Sequence, residues 1–357
     1  METSFNRMCN STLDLVNDLE KYRDKFPFPF ISKNEKEDFL AVYKQKIEEI
    51  QRFSEVQFNW FQSNEGKVKL TFKKVYDLTY KVIQSKLKDD DKTAIEHLED
   101  LMKIIEFDKL SHLDQKDFFR IRKTQWNNGL LKELKKEDMF HINYQDRRKC
   151  KNYRFSISGI PALYLGESLA LCEKEIFYGC DPSDYYISQF RSRDNFKVIT
   201  IDLPEWIIWR LVKGEFGKRE FINFFAYLPF SAACIFRTAP PHNHSFNPEY
   251  IIPQMLMSYL KKDKLKKDEK PIGVRYPSTK FKYDRSTKPA LNYAFPVTDP
   301  DKDGFCKNLK RIFGWTDPIL SEINYDKMKT ELREKAIKIE MSDDLNKLRE
   351  GFGKAIE

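Results

Sequence analysis

The segment from Tyr153 to Ile176, YRFSISGIPALYLGESLALCEKEI, constrains the fold of this chain more than any other stretch. It begins with polar residues, turns at Gly159 and crosses an apolar, strand-like run from Ile160 to Leu165. The second half has the character of a helix, which carries Glu175 eleven residues after Tyr164. A strand, a turn and a helix of this kind can hold a basic group and a carboxylate around one cleft. The segment therefore predicts a mixed fold of helices and strands with a cleft beside Glu175.

The length and composition of the chain favour one enzyme-sized domain with an extension, because 357 residues exceed one typical domain. The hydrophobic fraction is 41%, with 29 Phe and 17 Tyr, so the 33% of charged residues are expected at a solvated surface. Residues 1–110 carry 19 Lys and Arg against 21 Asp and Glu, a net charge of −2. Because the whole chain has a net charge of +8, residues 111–357 carry a net charge of +10. The C-terminal part is thus suited to an anionic ligand, either nucleic acid or a pyrophosphate.

The cysteine pattern and the apolar windows suggest a cytoplasmic protein. The 6 cysteines lie far apart and have no close histidine, so we expect reduced thiols, no disulfide framework and no metal site. The N-terminus lacks a basic region followed by an apolar run, and we expect no signal peptide. The most apolar window, residues 222–236, is too short to span a bilayer and predicts a buried core segment rather than a membrane contact.

Residues 1 to about 110 predict a helical domain. Apolar residues recur there at three- and four-residue spacing, and glycine is scarce. The run FPFPF at residues 26–30 interrupts the pattern, because its two prolines forbid a regular helix. Such a domain either packs on the rest of the chain without taking part in chemistry, or serves as a sensor or partner-binding module.

Three further motifs accompany the central segment. Residues 117–122, DFFRIR, predict a short strand with alternating basic residues. Residues 245–260 predict a buried helix with a proline near its start, and residues 271–278, PIGVRYPS, predict a strand that ends in a serine. The charge run at 261–270 contains no aromatic residue to stack on bases, which makes it a solvated loop rather than a nucleic-acid patch.

Together these motifs resemble the RES domain, a family of bacterial NAD-degrading proteins named after an Arg, a Glu and a Ser. The family's basic and aromatic opening, Gly-x-Pro, Tyr-Leu strand and helical Glu are matched by Arg154, Phe155, Gly159, Pro161, Tyr164, Leu165 and Glu175. Its final helix and strand motifs are matched by Glu249, Tyr250, Pro253, Gln254, Gly273, Tyr276 and Ser278. Arg147 lies midway between Phe140 and Arg154, as in the long-form RES proteins. Two departures are Phe119 in place of Tyr and Phe155-Ser156 in place of Trp-Asn.

The resemblance implies an α/β (α+β) fold with an ADP-ribosyltransferase-like RES domain at residues 115–318. An all-helical domain at residues 1–114 would precede it, and a helical tail at residues 319–357 would follow. The implied function is cleavage of the nicotinamide N-glycosidic bond of NAD+ by water or phosphate, in the toxin of a toxin–antitoxin pair or in an antiviral abortive-infection effector. NAD+ would be the substrate, no cofactor is expected, and an antitoxin or regulatory protein is the expected partner. The alternatives are ADP-ribosyl transfer to a macromolecule and a non-enzymatic, basic nucleic-acid-binding module.

The resemblance also implies a set of site residues. The catalytic candidates are Glu175, Ser278 and Arg147, and the NAD+-binding candidates are Arg120, Arg122, Arg154, Tyr164 and Tyr276. Guanidinium groups suit a pyrophosphate because they offer two charge-assisted hydrogen bonds at a fixed geometry. A carboxylate stabilises the positive charge that develops on the ribose as nicotinamide leaves. The serine hydroxyl would position the ribose or a phosphate, and the pyrophosphate-binding arginine is Arg120, Arg147 or both.

Overall fold

The computed structural model describes residues 16–31, 38–58, 61, 67–105, 111–113, 116–127, 130–178, 184–212, 218–238, 246–261, 271–280 and 291–321. These ranges hold an N-terminal helical region and a mixed sheet with further helices, which confirms the predicted α+β fold class. The finer likeness to the ADP-ribosyltransferases stays a prediction.

The N-terminal part is helical, as the spacing of its apolar residues predicts. Its helices are α1 (16–25), α2 (Phe39–Gln57), α3 (Lys67–Leu87) and α4 (Asp91–Ile104). Asp38 and Asp90 precede α2 and α4, and the side chain of each accepts a hydrogen bond from a backbone N–H of the first turn. The buried stripe of α2 includes Tyr43, Ile47 and Ile50, at the spacing that places side chains on one helix face.

The FPFPF run at residues 26–30 follows the end of α1, in agreement with the helix-breaking role of its prolines. The three phenylalanines of this run are buried. The ring of Phe30 lies 5.8 Å from that of Phe236, and its carbonyl accepts the backbone N–H of Arg237 at 2.7 Å. The run therefore attaches the N-terminal helices to a segment far along the chain.

A mixed sheet forms the second part of the fold. Its strands are β1 (Ser111–Leu113), β2 (Asp117–Lys123), β5 (Ala162–Gly166), β6 (Tyr185–Ser192), β7 (Phe196–Thr200), β8 (Gly273–Pro277), β9 (Leu291–Pro296), β10 (Phe313–Trp315) and β11 (Ile319–Leu320). A separate hairpin consists of β3 (Trp126–Asn127) and β4 (Leu130–Leu131). Within the described ranges the sheet has nine strands in the order β1-β7-β8-β9-β5-β2-β6-β10, and β11 also pairs with β6. Strands β7 and β8 are parallel, and the other pairs are antiparallel.

The sheet opens between β2 and β5. These strands meet at the pair formed by Phe119 and Gly166, whereas β2 pairs with β6 along its whole length and β5 pairs with β9 along its whole length. The side of β2 that faces β5 is therefore not occupied by a continuous ladder beyond that pair. Helix α5 follows β5 at this point and packs against both strands.

The remaining helices surround the sheet. They are α5 (Leu169–Phe177), α6 (Pro204–Val212), α7 (Lys218–Ile235), α8 (Ile251–Lys261) and α9 (Lys307–Ile312), with 3-10 helices at Lys136–Met139, Tyr144–Lys149 and Pro248–Tyr250. Helix α7 continues through Pro229 to Ile235. Pro229 lies inside α7, where most neighbouring side chains are buried. Tertiary packing there outweighs the hydrogen bond that a proline removes.

The N-terminal helices share a core with the rest of the fold. Helix α3 packs against α4, α7 and α8, and Tyr43 Oη donates to the carbonyl of Pro229 at 3.2 Å. Buried side chains of α2, α3 and α4 form one continuous cluster with those of α7, α8 and the sheet. The domain boundary between residues 114 and 115 stays a prediction, but the two sides of it are not packed as separate cores.

Two predicted segments fall wholly or largely outside the described residues. These are residues 322–357 of the expected helical tail and residues 262–270 of the charge run. The first residues of the expected tail, in β11, join the sheet. Among the described helices, none combines the length and the apolar character that crossing a membrane requires.

Candidate functional site

Glu175 lies in the last turn of α5, which begins directly after β5. Ser168 caps the helix by accepting a hydrogen bond from the backbone N–H of Leu171 at 3.2 Å. Gly166 permits the close approach of helix and strand, because a Cβ atom there would lie 2.5 Å from Cys172 Sγ. The local sequence therefore brings the end of α5, with its carboxylate, over the sheet.

The carboxylate of Glu175 is held from two sides. Its Oε1 accepts a hydrogen bond from Asn292 Nδ2 at 2.7 Å, and its Oε2 lies 3.2 Å from Lys280 Nζ. Lys280 Nζ also donates to the backbone carbonyl of Glu175 at 2.5 Å. The side chain of Glu175 is 25% exposed. A carboxylate in this position has a fixed direction and still reaches solvent.

Three of the polar side chains that surround this point share one face of the sheet. Asn292 is opposite both Tyr276 in β8 and Gly166 in β5, and Tyr164 is opposite Ala294. Directly opposed residues of antiparallel strands point to the same face, as do residues two apart in one strand. Tyr164, Tyr276 and Asn292 therefore lie on one face, and the contact between Asn292 and Glu175 places α5 on that face too.

Tyr276 connects this face to the Arg154 segment. Its ring centroid lies 4.2 Å from that of Phe155, and Arg154 Cζ lies 4.8 Å from the ring centroid of Tyr250. Arg154 Nη1 also donates to the carbonyl of Cys234 at 3.3 Å. Burial lowers the pKa of Arg154 and raises the pKa of Tyr276 well above its ordinary value. The predicted site residues Arg154 and Tyr276 thus lie in one half-buried aromatic cluster around the buried Phe155.

Tyr164 is held by Ser156. Its hydroxyl lies 2.7 Å from Ser156 Oγ, and its ring centroid lies 6.0 Å from that of Tyr153. Burial raises the pKa of Tyr164 above its ordinary value, which already lies well above neutral pH. Tyr153 is 52% exposed and forms the outer edge of this pair.

Ser278 is 1% exposed and follows the end of β8. Its Oγ accepts the backbone N–H of Lys280 at 3.2 Å. Since Lys280 contacts Glu175, the serine orders the turn that brings the ammonium group to the carboxylate. The structure therefore links two of the three predicted catalytic residues, Glu175 and Ser278, through Lys280.

Arg120 and Arg122 have a different environment. Their guanidinium groups donate to the carbonyl of Phe140, at 2.5 Å from Arg120 Nη1 and 3.2 Å from Arg122 Nη2. Burial lowers the pKa of both, and for Arg120 the neighbouring Arg122 lowers it further. Because Phe119 is opposite Gly166, alternation along β2 directs both arginines to the face opposite that of Asn292. In this structure they support a backbone carbonyl, and their contact with NAD+ stays a prediction.

Arg147 lies on the exposed 3-10 helix Tyr144–Lys149. Its Nη1 donates to Tyr144 Oη at 3.0 Å, and its Cζ lies 5.0 Å from the ring centroid of that tyrosine. No described contact joins Arg147 to Glu175 or Ser278, and its catalytic role stays a prediction. The side chain is therefore oriented by one neighbour of its own helix.

Comparison with known proteins gives one informative match. The sequence is 32% identical, over a 216-residue alignment that covers 57% of the chain, to a protein of Bacillus subtilis (strain 168) named "Putative toxin YopC". The matched part covers 46% of that relative, so the chain spans less than half the length of the curated protein that it matches. No family model matches the chain. No solved structure matches it either.

Sequence reasoning missed three contributions to the site. It did not predict that Asn292 and Lys280 contact Glu175, or that Ser156 contacts Tyr164. The signal for Asn292 was its place in the apolar strand LNYAFP, where a buried amide requires a partner. Lys280 gave no signal, because it follows Ser278 at the start of a basic loop and resembles any solvated lysine.

The arrangement supports electrostatic rather than acid–base chemistry. The carboxylate of Glu175 is directed by Asn292, and the phenols of Tyr164 and Tyr276 remain neutral hydrogen-bonding groups on the same sheet face. Such a site can stabilise positive charge next to Glu175 without a proton transfer. Within the described ranges, no group of His, Cys, Asp and Glu side chains is arranged to hold a metal ion.

Proposed function

We propose that this protein cleaves the nicotinamide N-glycosidic bond of NAD+, with water or phosphate as the acceptor. The observation that carries the proposal is the carboxylate of Glu175, which Asn292 Nδ2 and Lys280 Nζ hold at 2.7 Å and 3.2 Å while leaving it partly exposed. Nicotinamide leaves a pyridinium as a neutral group, so the reaction requires no strong general acid. It requires a fixed negative charge beside the ribose, which develops oxocarbenium character as the bond breaks.

The other predicted residues have supporting roles in this proposal. Tyr164 and Tyr276 form a half-buried aromatic wall beside Glu175, and Arg154 stabilises that wall through Tyr250. Ser278 fixes the turn that carries Lys280. Arg120, Arg122 and Arg147 are retained as candidate phosphate contacts, to be tested by substitution.

We further propose that loss of NAD+ makes the protein a growth-arresting toxin. The similarity of this chain to the Bacillus subtilis protein supports this role, since that protein is named "Putative toxin YopC". An antitoxin or regulatory protein would then be its partner. Expression of the wild-type protein should lower cellular NAD+ before growth stops, and Glu175→Gln should abolish both effects at equal protein level.

The decisive experiment incubates the purified 357-residue chain with NAD+ and follows free nicotinamide by chromatography. ADP-ribose as the second product indicates hydrolysis, and ADP-ribose 1-phosphate indicates phosphorolysis. Protein that carries covalently attached ADP-ribose indicates ADP-ribosyl transfer. Absence of nicotinamide release under all acceptor conditions would refute the proposal. Strongly salt-dependent binding to DNA or RNA in that case would favour the basic nucleic-acid-binding module.

A further inference from the structure

Tyr178, directly after α5, lies between two cations. It is 44% exposed, and Arg237 Nη2 donates to its hydroxyl at 2.8 Å. Arg237 Cζ lies 5.8 Å from its ring centroid, and Lys280 Nζ lies 5.6 Å from the same centroid. We call Tyr178, Arg237 and Lys280 the cationic rim.

The cationic rim is adjacent to the carboxylate of the candidate site. Lys280 Nζ belongs to the rim and also lies 3.2 Å from Glu175 Oε2. Glu175 and Tyr178 are three residues apart at the end of one helix, a spacing that places side chains next to each other. An anion bound at the rim would therefore lie beside the group on which Glu175 acts.

The charges of the rim exceed those of the carboxylate that it meets. Arg237 and Lys280 carry two positive charges against the single negative charge of Glu175, and the side chain of Lys280 is 35% exposed. Arg120 and Arg154 are likewise half-buried, and their guanidinium groups donate to other backbone carbonyls, those of Phe140 and Cys234. The rim thus offers exposed positive charge next to the site.

Arg237 is placed by the N-terminal part of the chain. Its backbone N–H donates to the carbonyl of Phe30, and Ile31 forms a bridge with Arg237. The preceding Phe236 is buried against Phe30 and Phe39, with ring centroids 5.8 Å and 5.2 Å away. A partly exposed guanidinium on an anchored backbone loses little freedom when it binds an anion.

We infer that the cationic rim binds the pyrophosphate of the dinucleotide, an assignment that rests on the function proposed above. A guanidinium forms two parallel hydrogen bonds with phosphate oxygens, and an ammonium contributes a point charge. In NAD+ the pyrophosphate is attached to the nicotinamide ribose through one methylene group. Lys280 contacts Glu175 and belongs to the rim, so its position joins the phosphate-binding and ribose-facing parts of the site.

The test uses calorimetry on the 357-residue chain to measure binding of ADP, which carries a pyrophosphate and has no nicotinamide bond. Arg237→Gln and Lys280→Gln should each weaken ADP binding about tenfold to a hundredfold, the usual effect of losing a hydrogen bond to a charged group. Arg237→Lys should recover part of the loss. The matched control is Arg148→Gln, which changes an exposed arginine of the 3-10 helix at Tyr144–Lys149 and should leave ADP binding unchanged.

A structural role of the two cations at the end of α5 predicts a different result. For Arg237→Gln, a structural role would lower Tm and reduce kcat, whereas an anion-binding role raises KM for NAD+ at nearly constant kcat and Tm. Lys280→Gln is judged by ADP affinity alone, because Lys280 also contacts the catalytic carboxylate of Glu175. Undetectable binding of ADP to the wild type, or equal ADP affinity in the wild type and both glutamine variants, would overturn the inference. Lack of nicotinamide release together with rim-dependent ADP binding would refute the proposed reaction while leaving the pyrophosphate site in place.

Discussion

Replacement of Glu175 by Gln separates a catalytic role of the carboxylate from a structural one. The substitution keeps the size of the side chain and retains an oxygen that can accept the hydrogen bond of Asn292 Nδ2. It removes the negative charge that faces Lys280 Nζ at 3.2 Å. The variant therefore tests charge with little change in packing.

The cost of this change in stability is small. The Glu175 and Lys280 side chains are 25% and 35% exposed, and ion pairs with this much solvent contribute about 0.2 to 1 kcal/mol. For 357 residues, an unfolding entropy of about 2.1 cal/mol/K per residue converts 1 kcal/mol into a decrease in Tm of roughly 1 °C.

The cost in activity is much larger. Loss of one preorganised electrostatic stabiliser lowers turnover by roughly a hundredfold to a thousandfold, or about 3 to 4 kcal/mol of barrier. Binding of NAD+ should change less than turnover, because the positive charge on the ribose is greatest in the transition state. The expected signature is a large loss of kcat at nearly constant Tm.

The assay is the initial rate of nicotinamide release, with Tm measured by calorimetry on the same samples. Glu96→Gln, on the exposed face of α4, is the matched control. Glu173→Gln is a second comparison, since its carboxylate accepts a hydrogen bond from Tyr185 Oη and its loss tests the stability of α5 itself. A Glu175→Gln variant with wild-type turnover, or one whose activity loss is matched by Glu173→Gln, would refute the proposed mechanism.

Three other predictions concern binding, folding and pH. If the guanidinium group of Arg147 binds phosphate through two hydrogen bonds, Arg147→Ala should weaken NAD+ binding more than Arg147→Lys, measured by calorimetry. Unchanged affinity of the alanine variant would show that Arg147 is not part of the site. Deletion of residues 1–110 should give aggregated protein in size-exclusion chromatography, because α7 loses its packing against α3; a monodisperse fragment would contradict this. Burial lowers the pKa of His141 from 6.5 to about 4, so the unfolded state binds its proton first and stability should fall as pH decreases from 6.5 towards 4. Urea unfolding of His141→Gln at pH 7.5 and pH 5 should show a smaller difference in the free energy of unfolding than the wild type shows. An equal difference in both proteins would contradict the role of His141.

Local sequence patterns predicted most of the elements that surround the site. The alternation of β2, the turn at Gly159 and the helix that carries Glu175 follow from spacing and turn residues over short distances. The end of α7 did not, because Pro229 predicts a break that the buried surroundings of the helix override. Local propensity was sufficient where the neighbouring residues in sequence determine the structure.

The partners within the site depend on the sheet register, which the sequence does not reveal. Asn292 meets Glu175 only because β9 pairs with both β5 and β8 at a particular register. A shift by one residue would turn Asn292 to the other face and bring Tyr293 in its place. The same reasoning applies to Arg120. The sequence predicted that Arg120 lies in a strand, but the pair between Phe119 and Gly166 determines which face of the sheet it is on.

The contact between Tyr43 and Pro229 has a consequence for synthesis of the chain. The two residues are 186 positions apart, and ribosomes add about 5 to 20 residues per second, so Tyr43 waits on the order of 10 to 40 s for its partner. During that interval Tyr43 lacks the α7 carbonyl to which its hydroxyl donates. We therefore expect the N-terminal helices to reach their final packing only after α7 has left the ribosome, with apolar surface exposed on the nascent chain until then.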